Sequence, residues 1–431
     1  MQYSTFAAID IGSYDVILEI FEISKKQGIR SVDKICHRME LGKDTYTLGK
    51  IRPEMEEELC RVLADFVRIM EGYRVDDYRA TASSAISEAS NSLYVLGKIH
   101  QLTGLSVTVL SNSEQRFLSY KALAAMEDNF NKIIEKGTAI LDLDGGSFQI
   151  SLFDKDALVT TQNIRMGSLR IRERLAGIQS ETEHYEEMVE ELIWNEVSSF
   201  KKMYLKDRKI ENIMLIGDVF TDSVYQNIEE KTTKIISREN FNTWYEKIIR
   251  QSPMELAVKL GIPLENASLM YPSAVIYKCL IDMMGAEHIW IPGVHMTRGI
   301  AYEYAEQMKL LKGGHNFEND ILMAAKNIGK RYAVNRPHVQ NLEMTALAMF
   351  DATKKMHGMK ERERLLLQMA VMLHDVGKYI SFNNVADSSY NIIMSNEIIG
   401  LSHIEREMVA LIARYNTVTL PSYDELVMES S

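Results

Sequence analysis

The chain has 431 residues, of which 46% are hydrophobic, and a formal net charge of −11 at pH 7. This length predicts about three domains, and the lack of a run of about 18 apolar residues predicts a protein without a membrane-spanning helix. The net negative charge would repel nucleic acid or another long polyanion, so such a ligand would need a local basic patch. We therefore expect a globular protein with neither membrane nor nucleic-acid partners.

The first residues, MQYSTFAAID, lack the charged and apolar regions of a signal peptide. The cysteines Cys36, Cys60 and Cys279 are widely scattered and form no CxxC pair. This pattern argues against secretion, a disulfide framework and a cysteine-rich zinc site. We expect a cytoplasmic protein with reduced thiols.

Two segments of the chain share one pattern of strand, aspartate, Gly-Ser turn and strand. Residues 6–23, FAAIDIGSYDVILEIFEI, have Asp10 just before the turn, and residues 138–154, TAILDLDGGSFQISLFD, have Asp142 in the corresponding place. Apolar and β-branched runs on both sides of such a turn predict two β-hairpins. Because strand-like and helical stretches follow each copy, we expect two related α/β lobes, residues 1–125 and 126–311.

Helical patterns lie between and after the hairpins. Residues 52–73 have apolar side chains at helical spacing, and another helix begins at Ser111, where Ser111 and Glu114 are spaced as a capping box. Residues 181–205 predict a long amphipathic helix. After residue 311 the periodicity is helical throughout, so residues 312–431 are predicted to form a separate all-α domain.

The Gly-Ser turns suggest an anion site. Glycine allows the backbone N–H groups of a turn to point at an anion, and two facing turns would clamp a phosphate. The preceding carboxylates, Asp10 and Asp142, would then hold a divalent cation or orient a water molecule. Aspartate and Gly-Ser are also ordinary residues of tight hairpins, which is the alternative for either copy alone.

One basic cluster could receive an anionic ligand in this acidic chain. Its side chains are Arg165, Arg170, Arg172 and Arg174. A helix face exposed to solvent is the alternative interpretation of this cluster, and the more common one.

Several blocks resemble the exopolyphosphatase/pppGpp-phosphohydrolase (Ppx/GppA) family, and they occur in the family's order and spacing. The resembling blocks are AAIDIGSYDVILEI, RATASSAISEASN, SNSEQRF, LDLDGGSFQISLF, RMGSLRIRERL, GLSHIEREMVALI and IARYN. On these blocks the chain is identified as a member of the family across nearly its whole length.

The resemblance implies a fold and a reaction. The fold would be two actin-like, RNase H-like lobes of the sugar-kinase and heat-shock-ATPase superfamily, with a ligand cleft between them. The reaction would be Mg²⁺-assisted attack of water on a terminal phosphoanhydride of polyphosphate or pppGpp, commonly in a homodimer. Asp10 and Asp142 would place metal or water. The phosphate-binding residues would be Gly12, Ser13, Gly145, Gly146, Ser147 and Gly217.

The first phosphate loop and the catalytic block depart from the family pattern. The loop Asp-x-Gly-Ser-Asn-Ser has Tyr14 and Asp15 in its last two places. The family has two successive glutamates in the catalytic block, the second of which activates water, but here Glu114 is followed by Gln115. An amide cannot accept a proton at neutral pH. Glu114 is therefore the remaining candidate base, although its place in a capping box favours a structural role.

The other blocks depart in the same direction. In the second loop, Asp144 adds a carboxylate and Gln149 replaces one. The family's arginine in the RATASSAI block falls on Ser87, and its Gly-Thr turn reads Gly217-Asp218. Together these changes predict either an impaired phosphatase or a catalytically silent protein that binds a nucleotide, an alarmone or phosphate and acts as a regulator.

The helical region contains a possible second metal site. His338 and the His374-Asp375 pair in MLHDVGK resemble the HD phosphohydrolase signature, whose imidazoles and carboxylate bind a divalent metal. The family's downstream histidine-rich segment is absent, and Asp387 is the only evident replacement. An HD-like domain that keeps a satisfied His-Asp pair without metal is the alternative.

Overall fold

The computed structural model describes residues 4–126, 130–155, 157–176, 185–227, 234–311, 315–416 and 418–422. The chain divides into two compact units between His315 and Asn316. Residues 181–184, where the sequence predicts the start of a helix, and residues 312–314, where it predicts the start of the all-α domain, lie outside the described ranges.

The first sheet of unit 1 has five strands in the order β3-β2-β1-β4-β5. Its strands are β1 (Ser4–Ile11), β2 (Asp15–Ser24), β3 (Gly28–Arg38), β4 (Asp77–Ala82) and β5 (Val107–Val109). The accompanying helices are α1 (Leu41–Leu48), α2 (Pro53–Tyr73), α3 (Ser84–Ser87), α4 (Ser92–Thr103), α5 (Asn112–Met126) and α6 (Phe130–Ile134). The first two strands form the predicted β-hairpin, β3 extends it to an antiparallel meander, and β4 pairs parallel with β1.

The second sheet has six strands in the order β10-β11-β9-β6-β7-β8. Its strands are β6 (Thr138–Leu143), β7 (Phe148–Asp154), β8 (Ala157–Ile164), β9 (Asn212–Ile216), β10 (Ile235–Ser237) and β11 (His288–Trp290). The helices here are α7 (Ser168–Leu175), α8 (Tyr185–Phe200), continued by a π-helical turn Lys201–Leu205, α9 (Val219–Asn227), α10 (Arg238–Ile249), α11 (Pro253–Leu260), α12 (Leu264–Met284) and α13 (Met296–Gln307). Strands β6, β7 and β8 repeat the meander of the first sheet, and β9 pairs parallel with β6 as β4 does with β1.

Each sheet contributes to its own apolar core. The central strands are buried on both faces, which explains why their sequences are nearly continuous apolar runs rather than alternating ones. Helix α13 follows the second sheet in the chain but packs on the first, where Ile300 and Ala301 join Phe6 and Leu118 in one buried cluster. Gly299 permits this approach, because a Cβ there would overlap the carbonyl oxygen of Leu118.

Unit 2 is helical throughout its described residues. Its helices are α14 (Phe317–Arg331), α15 (Arg336–His357), α16 (Glu361–Leu373), a 3₁₀ turn Val376–Tyr379, α17 (Val385–Ser395) and α18 (His403–Arg414). Asn335 caps α15 by accepting a hydrogen bond from the His338 amide, and this cap fixes His338 in the first turn. Across both units, no described helix combines the length and apolarity needed to cross a membrane.

We expect Gly299→Ala to destabilise unit 1, because the added Cβ would force α13 away from α5. Overpacking of this kind costs about 1–3 kcal/mol. Gly97 in α4 is the matched control, since nothing lies within 4 Å of a Cβ built there. Gly97→Ala should stabilise the protein by up to about 1 kcal/mol. Chemical denaturation measures both variants, and equal effects would contradict the close approach of the two helices.

Candidate functional site

The candidate site lies at the carboxyl ends of parallel strands from both sheets. Asp10, at the end of β1, is paired with Thr81 of β4, and Asp142, at the end of β6, is paired with Ile216 of β9. Both aspartates line one cavity of about 430 Å³ between the two sheets. The cavity is also lined by Gly12, Gly145 and Gly217 from the predicted phosphate-binding set. The ends of parallel strands in open α/β sheets commonly form ligand sites.

The backbone amides of the two turns are partly used within the turns. The Gly12 N–H donates to the carbonyl of Asp15 at 2.8 Å, and the Gly145 N–H donates to the Asp144 side chain at 2.6 Å. Since a carboxylate accepts this bond as a phosphate oxygen would, Asp144 competes with an anion for the second turn. The expected clamp of free amides is therefore only partly available at these glycines.

The serines of the turns are buried and do not line the cavity. The Ser13 hydroxyl is 2.7 Å from the Tyr46 hydroxyl, which is 2.9 Å from the Ser84 hydroxyl. A Cβ at Gly146 would overlap the Tyr46 hydroxyl and lie 2.5 Å from that of Ser84. Tyr46 thus fills the space between the two turns, and burial together with the Asp144 charge raises its pKa to about 12. Ser147 is likewise buried, and its carbonyl accepts a bond from the Asp144 amide.

Six carboxylates give the cavity an acidic wall: Asp10, Asp15, Asp142, Asp144, Asp218 and Asp222. Burial raises the pKa of Asp142 and of Asp144 to about 6 and that of Asp218 to about 7. Burial, followed by the charges of Asp15, Asp144 and Asp142, raises the pKa of Asp10 well above its ordinary value. The Asp10 Oδ1 atom is buried and has no hydrogen-bond partner among the described residues. Protons or a cation would stabilise this wall.

A hard divalent cation such as Mg²⁺ suits these oxygen donors. Within the described residues, however, no three of the cavity carboxylates bring ligand oxygens within 4.8 Å of one another. Mg²⁺ is commonly held by one or two carboxylates together with water and substrate phosphates. The oxygen donors of Asp10 and Asp142 therefore suit a cation of this kind in their chemistry.

Adjacent residues of α5 have different environments. The Glu114 carboxylate accepts hydrogen bonds from the Ser111 amide at 2.9 Å and hydroxyl at 2.8 Å, which is the capping box read from the sequence. Glu114 does not line the cavity, whereas the buried Gln115 does. The assignment of Glu114 as a base remains a prediction, and this geometry argues against it. Ser87 is exposed and also lies outside the cavity lining.

Gln149 is held by a buried arginine. The Arg116 Nε donates to Gln149 Oε1 at 2.6 Å, and a terminal nitrogen of the same guanidinium donates to Thr161. Ser119 and Arg116 on α5 lower the pKa of Asp142, although less than burial raises it. Helix α5 thus fixes the surroundings of Asp142 from one side, and Gly217 approaches it from the other, since a Cβ there would lie 2.6 Å from Asp142 Oδ1.

Three of the four arginines in the basic cluster, Arg165, Arg170 and Arg172, join the two lobes. Arg172 pairs with Glu40 at 2.8 Å, and both Arg165 and Arg170 pair with Glu88, at 2.8 and 3.0 Å. The Arg170 guanidinium also lies over the ring of Tyr46. These arginines are thus engaged by carboxylates of the first lobe. Tyr14 makes a further bridge, because its hydroxyl donates to Asn266 Oδ1 at 2.6 Å.

Sequence reasoning missed several cavity residues: Lys34, Arg38, Ser83, Asp222 and His295. The Ser83 hydroxyl, just after β4, is buried without a hydrogen-bond partner among the described residues. His295 Nε2 lies 3.6 Å from Asp222 Oδ1, and burial lowers the pKa of His295. The alternation of Lys34, Cys36 and Arg38 was a usable signal, since alternate residues of a strand share one face.

A separate cluster lies in unit 2. The ligand atoms of His338, His374 and Asp375 lie within 4.8 Å of one another. The His374 Nδ1 donates to the carbonyl of Val371 at 2.8 Å, because a carbonyl can only accept. Its Nε2 then faces Asp375 Oδ1 at 3.4 Å, and Lys378 donates to the other Asp375 oxygen at 2.6 Å. Two facing acceptors repel each other, so a proton or a metal ion would relieve this contact.

Comparison with known protein families identifies the family that has this architecture. Residues 20–308 match the Ppx/GppA phosphatase family, and residues 322–426 match domain III of that family. This chain belongs to the Ppx/GppA phosphatase family. The family membership predicted from the sequence is therefore confirmed, over both units.

Two curated relatives illustrate the range of the Ppx/GppA family. A bifunctional 3-dehydroquinate synthase/phosphatase of Fusobacterium nucleatum is 21% identical over 310 residues, which are 66% of this chain and 44% of the relative. This chain thus matches less than half the length of that protein. A guanosine-5'-triphosphate,3'-diphosphate pyrophosphatase of Vibrio atlanticus is 18% identical over 427 residues, covering 97% of this chain and 82% of the relative.

Solved structures of the family share the fold. A crystal structure of an exopolyphosphatase from Cytophaga hutchinsonii has a TM-score of 0.63 and 17% identity, covering 72% of this chain and all of that one. The Aquifex aeolicus family member has a TM-score of 0.59 and 17% identity, covering 71% of this chain and 99% of that one. At this identity the likeness shows the fold, and the predicted actin-like fold class is confirmed.

The stability of this Ppx/GppA chain should fall between about pH 4 and about pH 7 in metal-free buffer. The raised pKa of Asp218 means that the folded state keeps a proton that the unfolded state releases near pH 4, so unfolding becomes easier as pH rises. At pH 7.5 the resulting penalty is on the order of 4 kcal/mol, and Asp218→Asn should remove most of it. Denaturation at pH 5.5 and 7.5 measures the effect. The exposed Asp207→Asn is the control, and parallel pH curves for wild type and Asp218→Asn would contradict the assignment.

Proposed function

We propose that this protein hydrolyses the terminal phosphoanhydride of polyphosphate or pppGpp, at a slow rate. One observation supports this most: the equivalent aspartates and turns of the two repeats, Asp10 with Gly12 and Asp142 with Gly145, open on one cavity. The family membership supports a phosphatase, and the names of the Vibrio and Cytophaga proteins support these two substrate classes. The Ser83 hydroxyl, which lacks a partner among the described residues, and the exposed Gly217 would contact the terminal phosphate.

Asp10 and Asp142 would hold Mg²⁺ in this proposal. When bound, the cation would neutralise charge on the phosphate oxygens and on the buried carboxylates. The Asp10 Oδ1 atom, which is buried and lacks a partner in the described part of the chain, suits this role. Because the pKa of Asp10 is raised, protons compete with the cation for its carboxylate, so cation binding should strengthen as pH rises.

Gln115 would orient the attacking water. Phosphoryl transfer passes through a loose transition state, in which placing the nucleophile and stabilising charge matter more than removing its proton early. A glutamine can place a water through its carbonyl oxygen and amide group, as one does in GTPases. The chain therefore retains a way to position water without the glutamate that the family uses.

We expect slow turnover because the cavity offers few free donors to the phosphate oxygens. The Asp144 carboxylate occupies the Gly145 amide and adds negative charge beside the phosphate position. Losing one preorganised donor typically lowers the rate by about two to three orders of magnitude. The engaged arginines offer little compensation, because their charges are already paired with Glu40 and Glu88.

Gln115→Glu should raise kcat at least about tenfold, because it restores a proton acceptor at a position that lines the cavity. Glu114→Gln, the neighbouring control, should leave kcat within about twofold and change the free energy of unfolding by less than about 1 kcal/mol, because a glutamine amide oxygen can keep the capping box with Ser111. Phosphate release from medium-chain polyphosphate and from pppGpp with Mg²⁺ measures kcat. Loss of turnover in Glu114→Gln at unchanged stability would instead make Glu114 the base.

A binding protein that acts as a regulator is the second candidate. The occupied amides of Gly12 and Gly145, and the contacts of Tyr14 with Asn266 and of Tyr46 with Arg170 between the lobes, favour it. Calorimetry with ATP, pppGpp and tripolyphosphate separates the two candidates. Binding without phosphate release, in both the wild type and Gln115→Glu, would support the regulator and contradict slow hydrolysis.

We also propose that His338, His374 and Asp375 hold a divalent metal in unit 2, for which imidazole ligands favour Zn²⁺. The His374→Ala variant should bind one equivalent of Zn²⁺ fewer than wild type in calorimetry of the full chain. His403→Ala, an exposed histidine of the same unit, should leave the stoichiometry unchanged. Equal stoichiometry for His374→Ala and wild type would mean that the cluster is a metal-free His-Asp pair.

A further inference from the structure

We propose that Lys34 and Arg38 form a subsite for the anionic remainder of an oligophosphate, the phosphates beyond the one released. The inference rests on the proposed function for the position of the terminal phosphate at Asp10 and Asp142. It adds a binding surface on β3, a strand that none of the phosphate-loop motifs includes.

Strand β3 presents one cationic face to the cavity. Lys34, Cys36 and Arg38 are alternate residues of this strand, and all three line the cavity. Ile35 points to the other face and packs on the core of the first sheet. The pleat of the strand therefore directs the two cations into the cleft. Opposite them, Asp15 pairs with Arg38 in the strand register, at the start of β2.

Neither cation has an ion-pair partner among the described residues, in contrast to the arginines that join the lobes. The Lys34 charge partly offsets the burial that raises the pKa of Asp10 and of Asp15, and it adds to the burial that lowers the pKa of His295, so its field reaches both the aspartate wall and the histidine side of the cavity. The Arg38 charge likewise partly offsets the burial that raises the pKa of Tyr14. In a cavity with six carboxylates, two unpaired cations on one wall are the natural contacts for an anion.

The start of α13 adds to this positive side. Met296 and Thr297, the first two residues of this 12-residue helix, line the cavity. Backbone amides at a helix N-terminus favour negative charge. For a chain of net charge −11, such a local concentration of positive charge is what a polyanion requires.

The spacing along β3 favours a chain of phosphates over a single anion. Four residues of an extended strand span about 13 Å, so Lys34 and Arg38 would contact different phosphates. The cavity of about 430 Å³ can hold several of these groups. Polyphosphate and the 5'-triphosphate of pppGpp both offer such a chain of linked phosphates.

The test measures the affinity for tripolyphosphate and for inorganic phosphate, with Mg²⁺, by calorimetry of the full chain. Lys34→Gln and Arg38→Gln should each raise the Kd for tripolyphosphate about tenfold and leave the Kd for phosphate within about twofold. The matched controls are Lys25→Gln and Arg61→Gln, which remove the same charges from exposed positions outside the cavity. Thermal unfolding checks that all four variants fold.

Turnover assays extend the test to the two substrate sources. With polyphosphate and with pppGpp, Lys34→Gln and Arg38→Gln should raise KM and change kcat by less than about twofold, as expected for groups that bind the substrate and its transition state equally. A KM effect with only one substrate would identify that substrate as the occupant of the subsite.

Several results would overturn the subsite. These are an unchanged Kd for tripolyphosphate in both variants, an equal loss of affinity for phosphate and tripolyphosphate, and no tripolyphosphate binding by the wild type. If the wild type releases no phosphate but binds tripolyphosphate in a way that depends on Lys34, hydrolysis fails while the subsite stands.

Discussion

The parallel pairing of β1 with β4 and of β6 with β9 is the constraint on which the cleft depends. This pairing ends two equivalent strands at the same opening, so Asp10 and Asp142 reach one cavity although 132 positions separate them in the chain. The meander that follows each strand turns the chain back at a glycine. The duplicated fold thus creates the cleft before any side chain specific to a ligand is considered.

Burial of negative charge is the main energetic consequence of this arrangement. Five of the six cavity carboxylates, Asp10, Asp15, Asp142, Asp144 and Asp218, have raised pKa values, mainly because they are buried and, at Asp10 and Asp144, also because neighbouring carboxylates repel them. A proton or a divalent cation can stabilise the wall, and either would reduce its repulsion of a phosphate. The metal and the substrate would therefore bind as a coupled pair, which agrees with carboxylates that do not form a closed metal site by themselves.

Three residues that depart from the family pattern change the lining and the contacts of the cleft. Asp144 accepts the Gly145 amide bond, Tyr14 bonds to the opposite lobe, and Gln115 occupies a cavity position without a charge. Asp144 and Tyr14 thus make contacts within the protein, and Gln115 removes a charge from the cavity. Lys34 and Arg38 keep positive charge on the remaining wall, so the cleft is polarised rather than uniformly acidic.

The sequence by itself determined the two hairpins, the aspartate before each turn, the capping box at Ser111 and the family, because these features are local patterns of a few residues. Only the tertiary structure decided which side chains line the cavity, that Glu114 is turned away from it, and that α13 packs on the first sheet. It also decided that Arg170 and Arg172 bind the opposite lobe rather than a ligand. These outcomes depend on contacts between segments far apart in the chain, and a local pattern does not encode which distant group will satisfy a charge or an amide.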